Sequence, residues 1–195
     1  MEEIGIAAAL RPKTRRSKAG RFDQVSITLH WLTVLLVIAQ FTTASWFGLG
    51  DRNAALLLML HRSTGLLTLA VVLARLGWRH TFAHLPPFPE ALPKPQKLAA
   101  QTVEWCLYVM LVVQPLTGLG DTLFGGHHLV IFGIEVPIAI PKDKPIAHVL
   151  HMVHETCAWV LLGLIGTHAS AALFHGVIAR DGVLERMLPW TARDK

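Results

Sequence analysis

The sequence predicts an all-α membrane protein, a four-transmembrane-helix bundle with the N and C termini in the cytoplasm. Of its 195 residues, 52% are hydrophobic and only 16% are charged, whereas a soluble domain carries about 25% charged residues. Four apolar segments are each long enough for a membrane helix, which needs roughly 20 residues. Basic residues are distributed unequally between the segments that connect these four.

The first two apolar segments are Val25–Leu49, VSITLHWLTVLLVIAQFTTASWFGL, and Ala54–Trp78, AALLLMLHRSTGLLTLAVVLARLGW. The glycines of GLGDRN mark the turn between them. Both segments must be helices, because lipid offers no partner for unpaired backbone groups and the runs are too long for barrel strands.

The third and fourth apolar segments are Leu98–Leu119 and Ile146–Val177. The prolines of HLPPFPEALPKP exclude a helix between the second and third segments, because proline has no N–H to donate. The linker Gly120–Pro145 is longer and partly apolar. We therefore expect a short hairpin or an interfacial flap there.

The orientation of the bundle follows from the positive-inside rule. Fourteen Lys and Arg residues belong to one side, and four belong to the other, namely Arg52, Arg62, Lys142 and Lys144. We expect a basic cytoplasmic N-terminal segment at residues 1–24, a transmembrane domain at 25–178 and a cytoplasmic C-terminal tail at 179–195. The N-terminal basic run suits binding to anionic membrane lipid. Because topology explains the surplus of basic residues, no nucleic-acid partner is expected.

Histidines inside the apolar segments are the candidate functional residues, because ionisable groups at membrane depth are costly and usually have a functional partner. Seven of the eleven histidines lie there: His30, His61, His148, His151, His154, His168 and His175. His154 and His168 are fourteen residues apart, which leaves them about 40° from the same helix face and about 21 Å apart along the axis. They therefore mark two sites at two depths.

Each depth has a second histidine on an antiparallel helix. His61 shares the outer level with His154, and His30 shares the inner level with His168. Two histidine pairs at two levels are what two bis-imidazole haems require, whereas zinc prefers one compact tetrahedral cluster. His151 competes with His154, and His175 with His168, although Arg180 puts His175 close to the aqueous surface. A bundle without haem, whose histidines only bond between helices, also remains open.

Several motifs resemble those of the bacterial cytochrome b561 family. They are LHW at Leu29–Trp31, LHRSTG at Leu60–Gly65, HETCAW at His154–Trp159 and THASAALFHG at Thr167–Gly176. The resemblance extends from about Arg21 to Trp190 and includes QPLTG in the third segment, although hydrogenase and formate dehydrogenase cytochrome b subunits share parts of it. It implies that the haem-iron ligands are His30, His61, His154 and His168.

The resemblance further implies a transmembrane dihaem b-type cytochrome of the bacterial inner membrane that exchanges electrons with ubiquinone. The two haems would be held non-covalently, since the sequence has no Cys-x-x-Cys-His motif. One activity of the family is oxidation of superoxide at the periplasmic face. The alternative is a haem-bearing membrane anchor subunit that passes electrons between quinone and a separate periplasmic redox subunit. We expect Arg62, beside His61, to be a haem propionate partner, and Asp121 to be solvated.

Overall fold

Four long helices form the protein in the computed structural model, which describes residues 20–47, 53–89, 92–138 and 140–189. They are α1 (Gln24–Phe47), α2 (Ala54–Thr81), α3 (Lys94–Phe124) and α4 (Lys144–Leu173). Each belongs to a segment long and apolar enough to cross a membrane, so the predicted four-helix membrane bundle is confirmed. Most of the predicted basic N-terminal segment lies outside the described residues, as does Arg52. The cytoplasmic placement of both termini stays a prediction.

The helices differ from the predicted segments mainly at their ends. Helix α3 begins at Lys94 rather than Leu98, with Pro95 in its first turn, where the missing N–H would have no helical acceptor anyway. It continues through Pro115 to Phe124. Helix α4 passes into a π-helical turn at Phe174–Ala179, and Arg180 then ends the turn in the left-handed conformation with φ 50°.

The linker between α3 and α4 forms a β-hairpin rather than a flap. Strands β1 (Leu129–Ile131) and β2 (Ile134–Val136) pair antiparallel, with Ile131 opposite Ile134. Phe132 and Gly133 between them have φ of 47° and 86°, the positive values that a tight hairpin turn requires. The N–H of Phe132 donates to the hydroxyl of buried Ser63 on α2 at 2.9 Å. The hairpin is thereby fixed to the half of α2 that carries His61.

The helices pack mainly as α1 against α2 and α3 against α4, and α2 contacts α3. A small apolar core joins the second, third and fourth helices through Val72, Tyr108, Leu111 and Leu161. Leu161 is seven residues from His154 and seven from His168, so this core lies midway between their two levels. Large apolar side chains cover the outer surface, as a lipid environment favours; examples are Leu35, Ile38, Leu98, Trp159 and Val177.

At the other end of α2, Asp23 holds two helices together. Its carboxylate accepts hydrogen bonds from the Ser26 N–H at 2.9 Å, which caps α1, and from the Trp78 indole at 2.9 Å. Burial alone would raise the pKa of this carboxyl, but hydrogen bonds from Ser26 and Trp78 hold it below its ordinary value. This interaction sets the start of α1 level with the end of α2.

The C-terminal segment folds back onto the same end of the bundle. The buried guanidinium of Arg186 donates to the carbonyl of Pro87 at 2.7 Å, in the loop between α2 and α3. The indole of Trp31 on α1 donates to the carbonyl of Met187 at 2.8 Å. Residues next to His30 are therefore covered by the chain that follows α4.

Candidate functional site

Two pairs of histidines face each other across the bundle. His61 of α2 and His154 of α4, here called the outer pair, have ring centroids 6.2 Å apart. His30 of α1 and His168 of α4, the inner pair, have centroids 6.3 Å apart. The structure thus brings together all four predicted ligands in the two predicted combinations.

The spacing of each pair matches an iron between two imidazoles. A metal–nitrogen bond to histidine is about 2.0 Å. An imidazole atom lies about 1.1 Å from its ring centroid if the ring bonds are as long as the conjugated C–N bond of a peptide, about 1.33 Å. Two imidazoles that held one iron between them would therefore have centroids about 6.2 Å apart, by the same bond lengths. The residues fit bis-histidine haem at both levels, and their role as iron ligands remains a prediction.

Hydrogen bonds orient both rings of the outer pair. Nδ1 of His154 lies 2.9 Å from the carbonyl oxygen of Gln114 on α3, so the Nδ1–H donates to it. Thr43 on α1 gives its own hydroxyl hydrogen to the Ala39 carbonyl at 2.7 Å and lies 3.2 Å from Nδ1 of His61. It therefore accepts from His61. Nε2 of both rings is then unprotonated, the state that a metal ligand needs. In His154 this nitrogen accepts from the side-chain amide of Gln114 at 3.3 Å, so an iron bound there would take the place of that contact.

A glycine makes room for His154 on α3. A Cβ atom at Gly118 would lie 2.8 Å from Cε1 and 3.1 Å from Nδ1 of the His154 ring. The Gln114 carbonyl that accepts from the same ring is one turn earlier on α3. This single turn of α3 therefore supplies both the space and the acceptor for one predicted ligand.

Gln40 of α1 fixes the helix turn that carries His61. Its side-chain amide donates to the His61 carbonyl at 3.0 Å and also to the hydroxyl of Thr64. Gly65 faces this amide, because a Cβ there would lie 3.5 Å from the Gln40 oxygen. Sequence reasoning missed Gln40, Thr43 and Gly118; a lone polar residue within an apolar run was the only indication for the first.

The inner pair has fewer polar contacts. Nδ1 of His30 is buried and has no hydrogen-bond partner among the described residues. Its ring meets Trp31 edge to face, with centroids 5.7 Å apart. The described residues thus offer the inner rings fewer hydrogen bonds than the outer rings, and the Trp31 indole beside His30 bonds to the C-terminal segment.

The competing histidines are engaged elsewhere. His151 bonds to the carboxylate of Asp121 on α3 at 3.1 Å, so Asp121 is half-buried and paired rather than simply solvated. His175 bonds to the carboxylate of Asp181 just after the π-helical turn. Within the described parts of the chain, no group of three His, Cys, Asp or Glu side chains converges as a zinc site would require.

Arg62 lies at the outer end, next to His61 and beneath the hairpin. It lines a cavity of about 320 Å³ whose other walls are apolar: Ala55, Leu58, Met59 and Val130. A guanidinium in such surroundings favours an anionic partner. This position suits the predicted contact with a haem propionate, which remains a prediction.

Comparison with known proteins agrees with these observations. Residues 21–190 match the family described as prokaryotic cytochrome b561. The chain is 30% identical to cytochrome b561 homolog 1 of Escherichia coli over 175 residues, covering 87% of this chain and 97% of that protein. It is 28% identical to the probable superoxide oxidase CybB of Yersinia pestis, covering 87% and 96% of the two chains. Cytochrome b561 homolog 2 of Escherichia coli is 27% identical, covering 89% and 94%.

Proposed function

Because the chain belongs to the prokaryotic cytochrome b561 family, we propose that it is a dihaem cytochrome that moves electrons between its periplasmic face and ubiquinone. The family makes it a multi-pass electron-transfer protein of the bacterial inner membrane that binds b-type haem. The observation that carries the dihaem proposal is the geometry of the histidines. Two pairs have centroid separations of 6.2 and 6.3 Å, and their levels differ by about 21 Å along α4.

Each histidine pair would bind one of the two haems. His61 and His154 would hold the outer haem, with Thr43 and Gln114 fixing the ring nitrogens. His30 and His168 would hold the inner haem. Each haem would supply reversible one-electron chemistry at its iron. Two imidazoles on each iron would favour electron transfer over the binding of dioxygen.

A small anionic donor at the outer end is the second part of the proposal. Arg62 lines a cavity there. The Lys142 side chain lies over Gly126, which comes shortly before the hairpin in the sequence. Such cations attract an anion such as superoxide. The name of the relative from Yersinia pestis, a probable superoxide oxidase, supports the same reading. Two superoxide anions would give two electrons and leave two dioxygen molecules, while ubiquinone takes up two electrons and two protons.

The alternative role is a haem-bearing anchor that receives electrons from a separate periplasmic redox subunit. Co-purification of such a subunit from native membranes would favour it. The bond from Phe132 to Ser63 fixes the hairpin over α2 but leaves the side chains of Phe132 and Ile134 exposed, so the docking of such a subunit has to be tested directly.

The decisive experiment is superoxide oxidation by the purified protein in lipid nanodiscs containing a ubiquinone. We expect the protein to consume superoxide continuously and to form ubiquinol, with two superoxide anions consumed per quinol. Without quinone, the haems should be reduced once and consumption should then stop. A haem-loaded protein that superoxide does not reduce, but that a co-purified subunit does, would establish the anchor role instead.

A further inference from the structure

Arg75 is a charged residue inside α2, close to the inner pair. The bond from Trp78 to Asp23 sets the end of α2 level with the start of α1. From that level Arg75 lies three residues into α2 and His30 seven residues into α1, so their heights differ by about 6 Å. The charge of Arg75 acts on both His30 and His168. The guanidinium therefore lies within electrostatic range of the inner pair and about 6 Å closer to that end of the bundle.

This guanidinium lacks the acidic partner that its neighbour has. Arg79, one turn further along α2, donates to both carboxylate oxygens of Glu104 at 2.6 and 3.2 Å. Arg75 instead stands 5.2 Å from the centroid of the Tyr108 ring. Across the parts of the chain that the structure describes, no carboxylate lies within ion-pairing distance of Arg75.

Glu104 acts on the charge of Arg75 from a distance but is bound to Arg79. A cation in this position therefore calls for an anion that the described residues do not supply. Arginines at membrane depth pair with other charges or mark a functional site. The planar guanidinium suits a carboxylate in particular, because two N–H groups can bond its two oxygens together. Tyr108 stabilises the charge from one side through its ring and leaves the donors free for such a ligand.

We infer that Arg75 binds a propionate carboxylate of the inner haem and fixes the orientation of that haem between His30 and His168. The inference rests on the proposed dihaem function. Arg75 would correspond at the inner level to Arg62 at the outer level. A positive charge held here also favours the reduced state of the inner iron, which carries one positive charge less than the oxidised state.

The test is a redox titration of the haem-loaded protein in which the two haems are resolved by optical and electron paramagnetic resonance spectra. Arg75→Gln should lower the equilibrium constant for reduction of the inner haem by about tenfold. This corresponds to a reduction potential lower by about 59 mV. The outer haem should keep its potential. Arg75→Lys keeps the charge and should stay closer to the unmodified protein. Arg180→Gln removes one exposed cation near the same end of the bundle and serves as the matched control.

A second measurement separates a haem propionate from a lipid phosphate as the anion. Apoprotein is loaded with haem dimethyl ester, whose propionates carry no charge. If Arg75 binds propionate, Arg75→Gln should shift the inner potential much less with the ester than with haem. An equal shift with both cofactors would mean that Arg75 binds another anion and would overturn the inference.

Other outcomes are equally specific. If Arg75→Gln loses the inner haem alone and Arg75→Lys retains it, the inference is supported. Two bound haems whose potentials do not change in Arg75→Gln would refute it and leave the dihaem proposal intact. A protein that binds no haem would instead refute the proposed function itself.

Discussion

Gly118 of α3 packs so closely against His154 of α4 that a Cβ atom at this glycine would lie 2.8 Å from the imidazole Cε1. Carbon atoms that close must move apart. The ring is also held by its bond to the Gln114 carbonyl, at 2.9 Å. The ring of one predicted iron ligand is thus positioned by the absence of a side chain on the neighbouring helix.

Gly118→Ala should therefore displace His154 and release the outer haem selectively. We expect haem content to fall by about half, and the remaining spectrum to be that of the inner haem. Gly163→Ala is the matched control, because a Cβ at Gly163 would meet no atom within 4 Å. Full haem content in Gly118→Ala would show that α4 can shift at no cost in stability and that the outer haem binds without a glycine at this position.

The choice between neighbouring histidines gives a second prediction. His168→Ala should lose the inner haem and His154→Ala the outer haem, because each pair then has a single imidazole. His175→Ala and His151→Ala should both keep two haems, since these residues bond to Asp181 and Asp121 instead. Haem-to-protein ratios of the four variants measure this directly. Loss of a haem in His175→Ala with retention in His168→Ala would reverse the inner assignment.

The link between Ser63 and Phe132 should determine how firmly the hairpin is held. Ser63→Ala leaves the Phe132 N–H without its acceptor, which costs at most about 1–3 kcal/mol, because Phe132 is partly exposed and water can replace the serine. We expect faster proteolysis in the hairpin and a lower unfolding temperature in detergent. Ser45→Ala is the control, because among the described residues its exposed hydroxyl bonds only to its own helix, at the Phe41 carbonyl. Equal behaviour of the two variants would mean that the bond contributes nothing measurable and that packing contacts, such as that of buried Leu129, hold the hairpin.

Two helix caps allow the contribution of the Asp23–Trp78 bond to be isolated. Asp23 caps α1 and also accepts from Trp78, whereas Asp143 caps α4 through the Ile146 N–H at 3.0 Å. Each alanine substitution loses a cap worth about 1 kcal/mol. Asp23→Ala should lower the free energy of unfolding further, because it also leaves the indole N–H of Trp78 unpaired. Equal losses would show that the bond contributes nothing measurable.

The same carboxyl should add a pH dependence to stability. Its pKa in the folded protein lies below the ordinary 3.8, so the ionised form is the one that the fold stabilises. This contribution is complete above pH 3.8 and is lost as the pH falls through the folded value. Asp23→Asn should remove that part of the acid dependence in an unfolding titration of the apoprotein, which avoids haem loss. If the stability of Asp23→Asn depended on acid pH as that of the unmodified protein does, the predicted contribution of Asp23 would be wrong.

The sequence was sufficient for those features that one helix encodes by itself. Length and hydropathy predicted four spans, and the fourteen-residue spacing of His154 and His168 predicted two levels on one face. Contacts that depend on the register between helices could not be predicted. Gly118 is opposite His154 only because α3 and α4 pack at one particular offset, and the same holds for Gln40 against the His61 turn.

The role of Arg75 is a second feature that the sequence could not predict. In the sequence it is one of fourteen basic residues that indicate the topology. In the structure Arg75 lies beside Tyr108, and Glu104 binds Arg79 rather than Arg75. Both contacts depend on which faces of α2 and α3 meet. A count of charges cannot distinguish an arginine that only sets the topology from one that binds an anionic ligand.

The most direct test of two haems in one chain is the haem-to-protein ratio of the purified, haem-supplemented protein, measured as the pyridine haemochrome against protein mass. Two imidazole pairs predict two b-type haems per polypeptide, with bis-histidine spectra. A ratio of one, or material that stays colourless after haem is supplied, would contradict the account.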